Sequence, residues 1–142
     1  MTTTYFSLAS GNFSQNWENR TLISNNDDWS GVPSITGYLG DYTPSTTSGI
    51  DPRTLTNVEL GAIDVMANLT TATSTTGGVA EIDLAGNNMV ALQGSGTSDA
   101  PGIIIYLDAS GRKDITLTFD AVDLDGTADN AVQPIADRKS VV

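Results

Sequence analysis

The sequence predicts an all-β protein, an antiparallel β-sandwich. Thr, Ser, Gly, Asn and Asp interrupt the chain about every eight to twelve residues, which is the spacing of short strands and turns in a sandwich. The runs between these interruptions are rich in β-branched and aromatic side chains. The longest apolar run, residues 103–107, is far shorter than a membrane-spanning helix needs, so it reads as a core strand.

Four segments carry the clearest strand patterns, residues 79–84, 89–93, 103–107 and 115–122. In the last of these, apolar and polar residues alternate, so that one face of the strand would pack on a core. The predicted core consists of the apolar positions of these strands: Ile82, Val90, Leu92, Ile104, Ile115, Leu117 and Phe119.

The remaining segments give weaker signals. Residues 5–8 and 62–67 are predicted to be strands, and residues 51–55 could form a single helical turn that begins at Asp51-Pro52. Residues 31–49 contain several Pro and Gly and are predicted to form a long surface loop, with 43–49 as its least regular part. A single domain is expected at this chain length.

Composition limits the classes of partner and of chemistry. The chain has 17 acidic and 6 basic residues, a net charge of −11. Nucleic acid and anionic membrane are therefore not expected partners, because phosphate groups are held mainly by Lys and Arg. The chain has no Cys and no His, which excludes disulfides, zinc sites of the usual ligand types and a Ser-His-Asp triad. The net negative charge favours cations over anions as ligands.

The stretch "NNDDWSGVPSITGYLGD" is a candidate carbohydrate-binding segment. It places Asp27, Asp28, Trp29 and Tyr38 within a few residues of one another. Aromatic rings stack on the apolar face of a sugar, and carboxylates or amides accept hydrogen bonds from its hydroxyl groups. The alternative is that Trp29 anchors a long loop on the sandwich while the acids stay in water.

The stretch "DLDGTADN" is a candidate calcium site. Asp123, Asp125 and Asp129 offer closely spaced carboxylates, and Gly126 allows a tight turn between them. The spacing differs from an EF-hand loop and lacks its bidentate Glu. The alternative is a turn rich in Asp and Asn that holds no metal. Apart from Ca²⁺, no cofactor is expected.

No local arrangement of carboxylates suggests catalysis. Glu18, Glu59 and Glu81 stand in unrelated contexts, whereas acid and base catalysis needs paired groups in one cleft. We therefore predict that this chain is not an enzyme by itself.

Several segments, in order, resemble a β-sandwich module of large secreted bacterial proteins, often found upstream of endonuclease/exonuclease/phosphatase, lamin-tail or Calx-β domains. These segments are "FSQNW", "NDDWSGVPSITGYLGD", "GGVAEI", "VALQGSGTSDAPGI" and "DLDGTADNAVQ", within residues 6–133. The resemblance implies an extracellular, jelly-roll-like, non-catalytic module with accessory, adhesive or binding roles. The resemblance indicates neighbouring domains of the parent chain as partners but no particular ligand; the expectation of a polysaccharide or cell-surface ligand comes from the aromatic and acidic segment described above. The alternative, suggested by those neighbours, is a part of a metal-dependent nuclease or phosphodiesterase.

The two ends of the chain raise a separate expectation. The last six residues, "DRKSVV", contain two of the six basic residues and match the translation of a common sequencing adapter. The family that the chain resembles continues with further strands at this point. We therefore expect residues 1–136 to be an incomplete sandwich module and residues 137–142 to be non-native. The N-terminus carries no secretory signal, so export would need an upstream segment.

Overall fold

The structure is a computed structural model that describes only part of the chain. The described residues are 4–19, 22–23, 28–38, 65–69, 77–84, 86–94 and 101–124, with the backbone alone at 65–69 and at 84. These ranges contain no α-helix, and no segment among them forms a helix that is long and apolar enough to cross a membrane. The predicted all-β class is therefore confirmed for this part of the chain.

Seven short strands lie in the described ranges. They are β1 (Phe6–Ser7), β2 (Ile35–Tyr38), β3 (Val65–Leu69), β4 (Gly78–Leu84), β5 (Asn87–Gln93), β6 (Gly102–Ile105) and β7 (Leu107–Asp108). The predicted strands at 5–8, 79–84 and 89–93 correspond to β1, β4 and β5. The predicted strand at 103–107 corresponds to two consecutive short strands, β6 and β7. Strand β3 overlaps the predicted strand at 62–67 but lies further along the chain.

The strands form three small sheets. Strands β3, β4 and β5 make one sheet in that order, β2 pairs with β6, and β1 pairs with β7. The β4–β5 and β2–β6 pairs are antiparallel, whereas β3–β4 and β1–β7 are parallel. The predicted antiparallel pairing is therefore confirmed for β4–β5 and β2–β6, and the parallel pairs β3–β4 and β1–β7 depart from it. Side chains alternate between the two faces of a strand in parallel and antiparallel pairs alike, so the sequence pattern does not show which kind of pair forms. Only a tight hairpin, as between β4 and β5, requires the two strands to be antiparallel.

Both larger sheets contribute to one hydrophobic core. Its fully buried members are Ile23, Trp29, Val32, Ile35 and Val79, and the side chains packed around them are Phe13, Trp17, Leu22, Val90 and Ile105. Strand β4 lies against both β2 and β6. The irregular segment 11–19 covers the core, and the Asn88 side-chain amide donates to the Glu18 carbonyl oxygen at 2.8 Å, which ties this segment to β5.

Strand β4 is buried on both faces. Val79, Ala80, Glu81 and Ile82 are all at most 4% exposed. Successive side chains of a strand point to opposite faces, so four consecutive buried residues require cover on both sides. This burial accounts for the nearly continuous apolar pattern of "GVAEI", which the alternating pattern of a half-exposed strand would not show.

The predicted strand at 115–122 is wrong. The segment has no regular secondary structure, and Ile115, Leu117 and Phe119 are 49%, 54% and 63% exposed. Among the described residues no strand pairs with it, so its alternating pattern has neither a ladder partner nor a covering layer. A strand pattern alone does not supply either one.

Of the other predicted core residues, two lie in or against the core and two do not. Ile82 is buried and Val90 packs against the core, so both predictions are confirmed. Leu92 is half exposed because β5 lies at an edge of its sheet within the described part. Ile104 is only partly buried, since it lies on the face of β6 opposite to the core residue Ile105.

The predicted surface loop at 31–49 contains a strand. Strand β2 alternates between the buried residues Ile35 and Gly37 and the partly exposed residues Thr36 and Tyr38. This alternation was visible in "ITGY", although Gly and the nearby Pro favoured a loop. The predictions for residues 43–49 and 51–55, and the domain boundary between residues 136 and 137, lie outside the described residues.

Candidate functional site

The outer face of the β2–β6 pair carries a cluster of aromatic and hydroxyl side chains. Thr36 lies opposite Ile104 in the antiparallel register. Tyr38 lies two residues after Thr36, and Tyr106 lies two residues after Ile104, so both side chains are on this same face. Because the strands are antiparallel, the two tyrosines extend the face at opposite ends. Together with Tyr5, which packs on Tyr106, these residues form what we call the tyrosine face: Tyr5, Thr36, Tyr38, Ile104 and Tyr106.

The backbone of Tyr106 is held between two neighbouring strands. Its N–H donates to the carbonyl oxygen of Ser34 at 2.8 Å, which continues the β2–β6 ladder by one residue. Its carbonyl oxygen accepts from the N–H of Phe6 at 3.0 Å, which joins it to β1. These two hydrogen bonds place the Tyr106 ring where two sheets meet.

The hydroxyl groups of Tyr38 and Tyr106 are hydrogen-bonded to each other. Their oxygen atoms are 2.5 Å apart, and either one has the geometry to donate. The two residues are 68 positions apart in the sequence, so only the folded β2–β6 pair brings them together. A tyrosine hydroxyl both donates and accepts, so the pair retains free hydrogen-bonding capacity for a ligand.

Tyr5 supplies an open ring beside this pair. Its ring meets that of Tyr106 edge to face, with centroids 5.6 Å apart and planes at 69°. The Tyr5 side chain is 53% exposed. Edge-to-face contacts between aromatic rings are favourable, and more than half of Tyr5 stays accessible to solvent beside this contact.

Burial is the largest cause that raises the pKa of Tyr38 to about 12; the hydrogen bond and the electrostatic effect of the Tyr106 hydroxyl act in the same direction, and a hydrogen bond with Thr36 acts against them. Tyr38 therefore keeps its proton at physiological pH. None of the five residues of the tyrosine face is an acid or a base of the Asp, Glu, Lys or Arg type. The face is thus suited to a neutral ligand.

The sequence-predicted sugar-binding residues are only partly brought together. Trp29 is 1% exposed and packs edge to face on Trp17, with ring centroids 6.4 Å apart. Its ring is therefore not accessible for stacking in this structure, and its position agrees with the alternative interpretation of a loop anchor. Asp27 lies outside the described residues. Tyr38 is the one described member of this set that lies on the tyrosine face.

Asp28 stabilises a turn. Its carboxylate oxygen accepts a hydrogen bond from the N–H of Ser30 at 2.9 Å. Hydrogen bonds from the side chain and backbone of Ser30 lower the pKa of the Asp28 carboxyl group. The backbone then bends from Trp29 into the segment that leads to β2, with the Val32 N–H donating to the Trp29 carbonyl oxygen at 2.9 Å.

The predicted calcium site is only partly described. Asp123 is exposed, and Asp125 and Asp129 lie outside the described residues. Among the residues that the structure covers, no three carboxylate, His or Cys side chains form a group that could hold a metal. The calcium hypothesis for these three aspartates therefore stays a prediction.

Sequence reasoning did not identify Tyr5 and Tyr106 as site residues. Tyr106 looked like part of the apolar run "IIIYL", although it is the one residue of that run with a polar group at its tip. Tyr106 lies two positions after Ile104, so the two side chains share one face of the strand, opposite to the core residue Ile105. This alternation identifies Tyr106 as a surface residue once the core face of β6 is known. Nothing in the local sequence indicates that Tyr5 would reach Tyr106.

No family model, no curated protein and no solved structure matches the chain. The function is therefore inferred from the tyrosine face and from the sequence.

Proposed function

We propose that this chain is a non-catalytic binding module, a jelly-roll-like sandwich from a secreted multidomain bacterial protein, and that its tyrosine face binds a neutral carbohydrate. The observation that carries this proposal is the hydrogen-bonded pair of Tyr38 and Tyr106 hydroxyls beside the exposed ring of Tyr5.

The chemistry of a sugar matches this surface in two ways. The C–H groups on one face of a pyranose ring are apolar and pack on an exposed aromatic ring such as that of Tyr5. The hydroxyl groups at the rim of the sugar both donate and accept hydrogen bonds, as do the hydroxyls of Tyr38 and Tyr106. Because the side chain of Tyr106 is already held by the Tyr38 hydroxyl and by the Tyr5 ring, little side-chain freedom is lost on binding.

Charge favours a neutral glycan over an acidic one. The chain carries a net charge of −11, so an acidic polysaccharide would meet repulsion. The resemblance to modules of secreted bacterial proteins supports the extracellular setting. The core that β2 and β6 share with β4 and β5 supports a two-layered arrangement of sandwich type.

Affinity electrophoresis of the whole chain in gels that contain neutral polysaccharides tests the proposal. Tyr5→Ala should weaken binding roughly tenfold, since it removes an aromatic surface that would be covered by the sugar. Tyr106→Phe should also weaken binding, because it keeps the ring and removes one hydroxyl of the pair.

Phe119→Ala is the matched control, because Phe119 is also a largely exposed aromatic residue, at 63%, and lies outside the tyrosine face. Its affinity should equal that of the wild type. The proposal fails if the wild type is retarded by no neutral polysaccharide, or if Tyr5→Ala and Tyr106→Phe bind as well as the control. Metal-dependent hydrolysis of DNA by the chain would instead favour the nuclease alternative.

A further inference from the structure

The side chains of Tyr38 and Tyr106 reach towards each other across the outer face of the β2–β6 pair. The N–H of Tyr106 donates to the carbonyl oxygen of Ser34, and Tyr38 follows Ser34 by four positions. The two tyrosine backbones therefore lie roughly 13 Å apart along the strand direction. Their hydroxyl oxygen atoms are nevertheless 2.5 Å apart. The two side chains thus meet above the Thr36–Ile104 pair, and we call them the tyrosine bridge.

The geometry of the tyrosine bridge brings two reactive phenols together. Because the hydroxyl oxygens are in contact, the ring carbons next to them, Cε1 and Cε2, of one ring lie close to those of the other. Neither Tyr38 nor Tyr106 is fully buried, so both phenols remain open to an oxidant at the surface. The edge of the Tyr5 ring packs on Tyr106 and restricts its movement away from Tyr38.

We propose that Tyr38 and Tyr106 are a site of oxidative cross-linking, at which hydrogen peroxide, acting through a haem peroxidase, joins the two rings as dityrosine. Each phenol gives up one electron and one proton, and the two phenoxyl radicals form a bond between one Cε carbon of each ring. The hydrogen atoms on these two carbons then move to the phenol oxygens, which restores both aromatic rings and both hydroxyl groups. The two electrons and two protons that are released reduce one peroxide molecule to two water molecules.

Coupling within one chain is favoured over coupling between chains. Two radicals that the same fold holds side by side react at a far higher effective concentration than two radicals on separate molecules. The net charge of −11 on each copy also opposes close approach of a second chain. Tyr5 is more exposed than either residue of the tyrosine bridge, so it is better placed than they are to couple between chains.

The cross-link would supply what this chain has no cysteine to make. The sequence contains no Cys, so no disulfide joins its distant segments. Tyr38 and Tyr106 are 68 positions apart, and a bond between them would tie β2 to the junction of β6 and β7. A covalent link that closes a long loop reduces the conformational freedom of the unfolded chain and so stabilises the fold, as a disulfide does. The cross-linked protein should therefore unfold at a higher urea concentration than the untreated protein.

Treatment of the full chain with hydrogen peroxide and a haem peroxidase tests the proposal. Denaturing gel electrophoresis should show that the main product remains a monomer, and its mass should be lower by two hydrogen atoms. It should also show the fluorescence of dityrosine. After proteolysis, one peptide should contain residue 38 joined to residue 106.

The four tyrosines of the chain allow a sharp assignment. Tyr5→Phe combined with Tyr42→Phe leaves only Tyr38 and Tyr106, and this double variant should still form the cross-linked monomer. Tyr42 itself lies outside the described residues.

Tyr38→Phe and Tyr106→Phe are the opposite test, because each keeps the aromatic ring and removes one phenol. Each should abolish the cross-linked monomer and leave only dityrosine that joins two chains. Tryptophan fluorescence reports whether the variants keep the buried environment of Trp29. The proposal is overturned if the double variant yields no dityrosine or only linked dimers. It is equally overturned if a cross-linked monomer still forms in Tyr38→Phe or Tyr106→Phe.

Discussion

Gly37 of β2 lies directly against the indole ring of Trp29. A methyl group on the Cα atom of Gly37 would overlap Cζ2 of that ring and would lie 2.8 Å from Cε2. Trp29 is buried and its ring cannot withdraw into solvent. We therefore expect Gly37→Ala to destabilise the protein by about 1–3 kcal/mol, the usual cost of overpacking a core. Urea denaturation followed by fluorescence measures this loss.

The contact itself is tested by a double-mutant cycle. Trp29→Phe removes the part of the ring that Gly37 approaches, so Gly37→Ala should cost less in the Trp29→Phe background than in the wild type. Equal costs in the two backgrounds would show that the methyl group is accommodated elsewhere. The Nε1–H of Trp29 has no acceptor among the described residues, so replacing the indole does not break a hydrogen bond seen in this structure.

The Tyr38 hydroxyl group should give the protein an alkaline limit of stability. Its pKa is raised to about 12 in the folded chain, from an ordinary value of 10.0. The folded state therefore retains a proton that the unfolded state releases above pH 10. The stabilisation is complete below pH 10 and is lost as the pH rises through about 12. Tyrosine absorbance titration should show a group that ionises late.

Tyr38→Phe is the control for this titration. The variant should lose the late-ionising group, and its stability should fall less steeply between pH 10 and 12 than that of the wild type. A wild-type titration in which all four tyrosines ionise near their ordinary pKa would contradict the environment described for Tyr38.

Two Asp-X-Ser turns should make the protein sensitive to acid. Hydrogen bonds from Ser30 and Ser110 lower the pKa values of Asp28 and Asp108, respectively, below the ordinary 3.8. Each carboxylate therefore contributes stability at pH values above 3.8, and this contribution is lost as the pH falls through the lowered pKa. NMR titration of the carboxyl groups should place both below a typical exposed aspartate.

Ser30→Ala is the matched variant for the first turn. It removes the side-chain hydrogen bond and keeps the backbone one, so the pKa of Asp28 should rise part of the way to its ordinary value while that of Asp108 stays the same. If the pKa of Asp28 does not change in Ser30→Ala, the serine hydroxyl does not act on the carboxylate in solution.

Calcium binding at Asp123, Asp125 and Asp129 is tested by calorimetry of the whole chain. If they converge on the ion, we expect weak binding, with a Kd of roughly 10⁻⁴–10⁻³ M, which is the range of the calcium sites of extracellular modules. Asp123→Asn should weaken it further. Absence of calcium-dependent heat would identify the turn as one that holds no metal.

The sequence predicted the positions of strands better than it predicted which strands pair or which residues bury them. Strands β4 and β5 were recognisable because each is a short apolar run bounded by residues that interrupt strands, whereas the hairpin that joins them at Gly86 is known from the structure. Residues 115–122 show an equally clear pattern, yet they form no strand, because a strand also needs a partner that the local sequence does not specify.

The candidate site was harder to predict for the same reason. Trp29 stood out in the sequence because Trp is rare, but its burial depends on Gly37, which a local reading treats as a loop residue. Tyr38 meets Tyr106 only through the β2–β6 register. Side chains that converge through distant pairing leave no spacing signal in a single sequence.

The pairing of β1 with β7 has a consequence for the order of folding. Phe6 lies beside Leu107, so this contact closes nearly the whole described chain, whereas the β4–β5 hairpin closes only a few residues. Contacts between distant residues carry the larger entropy of loop closure and tend to form late. Tyr5 would then dock on Tyr106 after the rest of the core has formed. A carbohydrate held by these two rings should accordingly slow unfolding while leaving the refolding rate almost unchanged.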